Sequence, residues 1–173
     1  GFIFVHVLGV PHRRKELLYL KEKYGCYILE DSCASVGAKF GNGDYIGTVG
    51  DMSTFSFYFG HQLSTIEGGF INTSDKTLYT ELLKLRSHGW VKDIANDEWR
   101  KHEDFPFVFL EPGFNVRPTD FQAYIGLGQI DKAEGIFEKR SQNHIRYTQK
   151  LSNRFKWQDW KRATPVSLHI ERE

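Results

Sequence analysis

Thr54-Phe55-Ser56-Phe57-Tyr58-Phe59-Gly60-His61-Gln62-Leu63-Ser64-Thr65-Ile66-Glu67-Gly68-Gly69 is the stretch around which the chain is organised. It starts as an aromatic, β-prone run and breaks at Gly60. It closes on Glu-Gly-Gly ahead of a second strand-like run, Phe70-Ile71-Asn72. Ser56 and His61 stand five residues apart across the break. Such a junction can hold a hydroxyl and an imidazole over one small-molecule site, because functional groups gather on loops carried by a rigid sheet.

Upstream, residues 2–8 read as a strand ending at Gly9, and Pro11 opens an amphipathic helix through Leu17, Leu18 and Leu20, with Gly25 as its stop. Cys26-Tyr27-Ile28-Leu29 reads as a short buried strand with Glu30-Asp31 at its carboxyl end. Strand, helix, strand at this spacing is a βαβ unit, so the two strands are expected to be parallel. Ligands sit at the carboxyl ends of such strands, which puts Asp31 on the active edge. Residues 32–40 read as a turn or short helix, followed by the glycine-rich connector 41–50.

Downstream, Ser74-Asp75 opens a helix through Leu78, Leu82 and Leu85 that stops near Gly89. Residues 90–112 read as an irregular aromatic and charged segment. Thr119 with Gln122 three residues on has the pattern of a capping box. Helices are expected over 120–129 and 133–153. The expected division is a large-domain part over 1–154 and the start of a smaller domain over 155–173. The first residue lies inside an apolar run and is not Met, and the last follows a strand-like run, so the chain reads as an internal fragment of a longer one.

With 173 residues, 40% hydrophobic and 15% aromatic, the chain can build a sizeable core. A formal net charge of +1, from 23 basic and 22 acidic residues, carries no nucleic-acid or membrane-surface footprint. The apolar runs are too short to span a bilayer. Cys26 and Cys33 lack metal-ligand spacing and read as reduced thiols of a cytoplasmic protein, with no metal site expected. The other six histidines read as surface or packing residues.

Four blocks in this order resemble the DegT/DnrJ/EryC1/StrS family: Val5-His6-Val7-Leu8-Gly9, then Glu30-Asp31-Ser32-Cys33-Ala34-Ser35-Val36-Gly37-Ala38, then Ser56 through Gly69, then Gly113-Phe114-Asn115-Val116-Arg117. The resemblance covers about residues 4–151. It implies an α/β fold, that of the aspartate-aminotransferase-like large domain of fold type I vitamin-B6 enzymes, with a mixed, mostly parallel sheet flanked by helices. It also implies pyridoxal or pyridoxamine phosphate as cofactor, a nucleotide-linked sugar as substrate, and a homodimer with shared active sites.

Within that resemblance Asp31 matches the carboxylate facing the cofactor's ring nitrogen, where a negative charge favours the protonated ring. Read from the residues alone, Asp31 could equally cap a helix before Ser32. Ser56 matches the hydroxyl that binds the cofactor phosphate. Ala34 matches a position against the cofactor ring, here without a polar side chain. Asn115, and with it Arg117 toward the substrate, match a segment that reaches the neighbouring subunit's cofactor; the residue-level alternative for Arg117 is a surface ion pair. Most members have lysine at the position of His61, and an imidazole has no primary amine with which to form an imine. It can still move a proton near neutral pH.

Members with histidine there are dehydratases that remove the C3 hydroxyl of 4-keto-6-deoxy sugar nucleotides, the histidine taking a proton from the cofactor. The chain is therefore expected to be such a dehydratase in deoxysugar or O-antigen synthesis. A sugar aminotransferase is the second reading, and a binding or regulatory relative without activity the third. A reductase partner or iron–sulfur cluster is left open by the sequence. Those dehydratases carry a second histidine where this chain has Gln62, and Ile66 stands where glycine is usual.

Overall fold

The computed structural model describes residues 1–151 and the short strands over 156–157, 163–164 and 170–171. The chain divides into two compact units, one of residues 1–72 with 120–173 and one of residues 73–119.

In the first unit β1 (Phe2–Val5), β2 (Ile28–Asp31), β4 (Met52–Ser56) and β5 (Gly69–Asn72) form a sheet in the order β1-β2-β4-β5. β1, β2 and β4 run parallel, and β5 returns antiparallel to β4. The expected βαβ unit is present, with α1 (Arg14–Tyr24) joining β1 to β2. α1 ends as expected at Gly25, whose φ of 55° and N–H to the Lys21 carbonyl make a left-handed cap. The second strand begins two residues later than the Cys26 start read from the sequence, because Tyr27 is exposed and Asp51 Oδ2 accepts the Ile28 N–H at 2.8 Å. Lys21 of α1 binds the other oxygen of Asp51 at 2.9 Å, tying helix to strand.

Alternation along the strands gives the sheet two unlike faces. One carries Phe4 against the buried cluster of Leu17, Ala38, Phe40, Ile46 and Val49, joined by Leu18 and by Phe137 of α5 (Ala133–Leu151). The other carries Val5, Asp31 and Thr54, which are neighbours in register. The two strands joined by the opening stretch are a hairpin, Ser56 pairing with Gly69 and Phe55 stacking on Phe70 at 4.6 Å. Helix α4 (Asp120–Ile130) belongs to the same unit, and β3 (Lys39–Phe40) pairs antiparallel with the short strand Ala163–Thr164. Gln122, read as half of a capping box, donates its amide to the Glu67 carbonyl at 2.7 Å.

In the second unit α2 (Lys76–Arg86) is capped by Asp75, whose Oδ1 accepts the N–H of Thr77 at 2.7 Å and of Leu78 at 3.1 Å. Residues 90–112 contain one short helix, α3 (Asp97–Arg100). Trp90 stacks between Phe107 and Phe109 at 6.0 and 5.8 Å. The expected boundary near residue 155 falls outside the described residues. No helix among the described residues is long and apolar enough to cross a membrane, and no cluster of His, Cys, Asp or Glu there could hold a metal ion.

Candidate active site

Two carboxylates stand side by side at the end of β2 and project to opposite faces. Glu30 is fully buried. Its Oε1 accepts the N–H of Val49 at 2.8 Å and of Gly50 at 2.6 Å, and its Oε2 accepts the N–H of Gly47 at 3.0 Å and a hydrogen bond from His6 Nε2 at 2.9 Å. His6 Nδ1 accepts the His12 N–H at 3.0 Å, so its proton sits on Nε2 and points at Glu30. Burial alone would raise the Glu30 pKa, but the His6 bond and the three amides outweigh it and hold the carboxyl below its ordinary range.

This cradle explains the glycine-rich connector. Gly47 has a φ of 77°, and a Cβ there would lie 2.7 Å from the Phe55 ring. A Cβ on Gly50 would lie 2.7 Å from the Ile28 carbonyl. Side chains at either place would keep the backbone from closing on Glu30.

Asp31 faces the other way and is half-buried. Its Oδ1 accepts the Cys33 N–H at 3.0 Å and the Thr54 hydroxyl at 3.4 Å. The Cys33 thiol in turn reaches Thr54 Oγ1 at 3.7 Å. Burial and the hydrogen bond with Asp31 push the Cys33 thiol up, so it stays protonated and is no nucleophile at neutral pH. Asp31 makes an Asx turn onto Cys33, and no helix follows it: residues 33–34 and 36–37 are turns. The helix-cap alternative is therefore not what the chain uses.

Ser56 lies two residues beyond Thr54, on the Asp31 face of β4, and its Oγ accepts the Tyr58 N–H at 3.1 Å. Residues 57–68 form a tight loop over the hairpin, with Phe57 N–H to the Gly68 carbonyl at 2.8 Å, Thr65 N–H to Phe57 at 2.9 Å and Phe59 N–H to Ile66 at 3.0 Å. His61 sits near its tip, half-buried, its N–H on the Tyr58 carbonyl at 3.0 Å and its ring edge-on to Tyr58 at 5.9 Å. Ile66 has a φ of 74°, in the left-handed region that strains a β-branched residue. Ala34 lies in the turn after Asp31, and its carbonyl accepts the Gln62 amide at 2.6 Å.

Asp31, Ala34, Ser56 and His61 thus belong to one unit, and Asn115 and Arg117 to the other, where both are exposed and Arg117 Nη2 donates to Asn115 Oδ1 at 3.4 Å. Thr54 and Gln62 were not among the residues picked from sequence. Strand alternation back from Ser56 could have found Thr54. Nothing local marks Gln62.

The donor set fits a phosphorylated pyridine cofactor: a turn-held carboxylate for a cationic ring nitrogen, and a hydroxyl beside a turn for a phosphate. A profile of the DegT/DnrJ/EryC1/StrS aminotransferase family matches residues 1–167. The chain belongs to this family. Its similarity to a GDP-4-keto-6-deoxy-D-mannose 3-dehydratase of Yersinia pseudotuberculosis is 36% identity over 149 residues, 83% of this chain and 38% of that one. With a GDP-perosamine synthase of Escherichia coli O157:H7 it is 32% identical, over 79% of this chain and 34% of that one. The structure of Escherichia coli GDP-4-keto-6-deoxy-D-mannose-3-dehydratase with bound hydrated pyridoxal phosphate superposes with a TM-score of 0.83 at 29% identity, over 97% of this chain and 45% of that one. The fold is accordingly the fold type I vitamin-B6 architecture, and the chain spans less than half the length of these relatives.

Proposed function

We propose that the protein is a pyridoxal- or pyridoxamine-phosphate enzyme acting on a nucleotide-linked 4-keto-6-deoxy sugar, removing its C3 hydroxyl with His61 as the base. The observation that carries this reading is His61 at the hairpin tip, with no lysine anywhere between Lys39 and Lys76. The 3-dehydratase relatives support the substrate class.

Asp31, its orientation set by Cys33 and Thr54, would hold the positive charge of the cofactor's ring nitrogen. Ser56 would donate its hydroxyl to the phosphate, and Ala34 would stand on the ring side of the site. When bound there, the cofactor supplies an electron sink for cleavage at the adjacent carbon. His61, its ring set against Tyr58, would take one proton and pass it to the departing C3 hydroxyl, which leaves as water, the electron pair that expels it coming from the cofactor's amine form.

Asn115 and Arg117 complete a neighbouring subunit's site in a homodimer. The exposed apolar row Phe121, Tyr124, Leu127 and Ile130 on α4 supports a covered face. The setting is cytoplasmic polysaccharide synthesis, and the small domain begins near residue 155.

The GDP-perosamine synthase likeness supports a second reading, amino transfer to the same class of sugar. The test loads the full-length protein with pyridoxal phosphate, reduces it with borohydride and maps the peptides. Bound cofactor with no lysine adduct is the expected result, and an adduct on a lysine would overturn the role of His61. Product analysis then separates the chemistries: loss of a hydroxyl without nitrogen gain, against an amino sugar formed at the expense of glutamate.

A further inference from the structure

His61 and Gln62 are neighbours that meet different surroundings. The His61 ring lies half-buried at the loop tip beside Tyr58, while Gln62 is 6% exposed and spends its amide on the Ala34 carbonyl at 2.6 Å. That carbonyl is a fixed point. Its turn is braced by Ser35 N–H to the Ser32 carbonyl at 2.9 Å, Ala38 N–H to Ser35 at 3.0 Å, and the Ser35 hydroxyl on the His6 carbonyl. The same turn orients Asp31 through the Cys33 N–H.

The loop's backbone–backbone bonds tie it to its own hairpin, between residues 57–59 and 65–68 and from His61 to Tyr58, and the Gln122 amide holds the Glu67 carbonyl ahead of the hairpin's return strand, five residues from Gln62. Leu63 is also buried, but apolar burial is non-directional and sets no register. A hydrogen bond between a planar amide and a carbonyl is directional.

We propose that Gln62 is a positioning residue: it ties the loop carrying His61 to the turn carrying Asp31, and so fixes where the imidazole stands above the sheet edge. The inference rests on His61 being the base. It adds that the gap between base and ring-nitrogen partner is set by the residue next to the base and not by the hairpin alone.

The test uses the full-length protein with Gln62→Leu and Gln62→Glu, and His61→Asn in parallel. Hydrogen exchange of residues 60–66 is read alongside kinetics and cofactor affinity. In Gln62→Leu the loop amides should exchange at least about tenfold faster while β4 and β5 keep their protection. Its kcat should fall by up to about 100-fold, the scale of an ångström-sized misplacement, with KM and cofactor affinity nearly unchanged.

Gln62→Glu should recover part of kcat at acid pH, because only a protonated carboxyl can donate to the Ala34 carbonyl; a merely space-filling role predicts no such profile. Wild-type exchange in Gln62→Leu overturns the proposal. So does loosening without loss of kcat when His61→Asn is inactive. Full turnover in His61→Asn sinks the base reading instead, and exchange alone then decides the anchor.

Discussion

Glu30 and Asp31 are adjacent, carry the same functional group and have opposite surroundings. Glu30 accepts four hydrogen bonds, is sealed from water and organises a loop. Asp31 is half-buried, and the Cys33 N–H and the Thr54 hydroxyl both fall on its Oδ1. The lesson is one of capacity. A carboxylate with every lone pair engaged is a structural strut, whereas one steered through a single oxygen can still meet a ligand.

The hardest blow to that contrast is Glu30→Gln. The amide nitrogen would face backbone N–H groups in a sealed cradle, and breaking such a buried charged network costs about 3–5 kcal/mol. Urea unfolding of the full-length protein should show a large drop in midpoint, while any folded fraction keeps its cofactor affinity. The same carboxylate sets an acid limb. Its folded pKa is lowered, so its contribution is full above the unfolded value near 4.5 and is lost as pH falls through the folded pKa. Stability measured from pH 6 downward should decline below about 4.5 in the native protein and be flatter in Glu30→Gln.

Asp31→Asn inverts the pattern. The Cys33 N–H and the Thr54 hydroxyl can still bond the amide oxygen, so stability should hold to within about 1 kcal/mol. Turnover should fall by about 10²–10³, the usual loss when a site gives up an aligned charge. A urea midpoint that falls as far as in Glu30→Gln would erase the distinction.

Thr54→Val removes one long hydrogen bond to Asp31 and should cost about fivefold in kcat, with folding unaffected. Ile66→Gly is the gentlest probe. It relieves a left-handed β-branched residue that is already exposed, and should raise stability by about 1 kcal/mol, seen as a higher urea midpoint at constant m.

What the sequence disclosed was whatever is local. Gly25 as a helix stop and the helix opening at Ser74-Asp75 work through bonds spanning a few residues and are where the residue pattern put them. The two strand-like runs on either side of Gly60 are strands, whose antiparallel pairing only the structure shows. The start of β2 was misjudged because Cys26 and Tyr27 look apolar while Tyr27 in fact faces water.

The Glu30 cradle was invisible for a different reason. Its partners come from His6 and from residues 47–50, some twenty positions away on both sides, and a glycine-rich connector reads as mere loop until its amides are seen converging. Asp31, Ser56 and His61 were singled out as candidates through the family resemblance, and the structure adds the Thr54 bond to Asp31 and the Gln62 bond to the Ala34 carbonyl, contacts that exist only once strand and loop are folded beside the turn.

The hairpin separates inheritance from invention. Its foundation, from the Phe55–Phe70 stack to the Gln122 bond on the Glu67 carbonyl, does not involve the His61 side chain. A lineage can therefore exchange the tip residue, lysine for histidine or back, by a few nucleotide changes without re-evolving the scaffold.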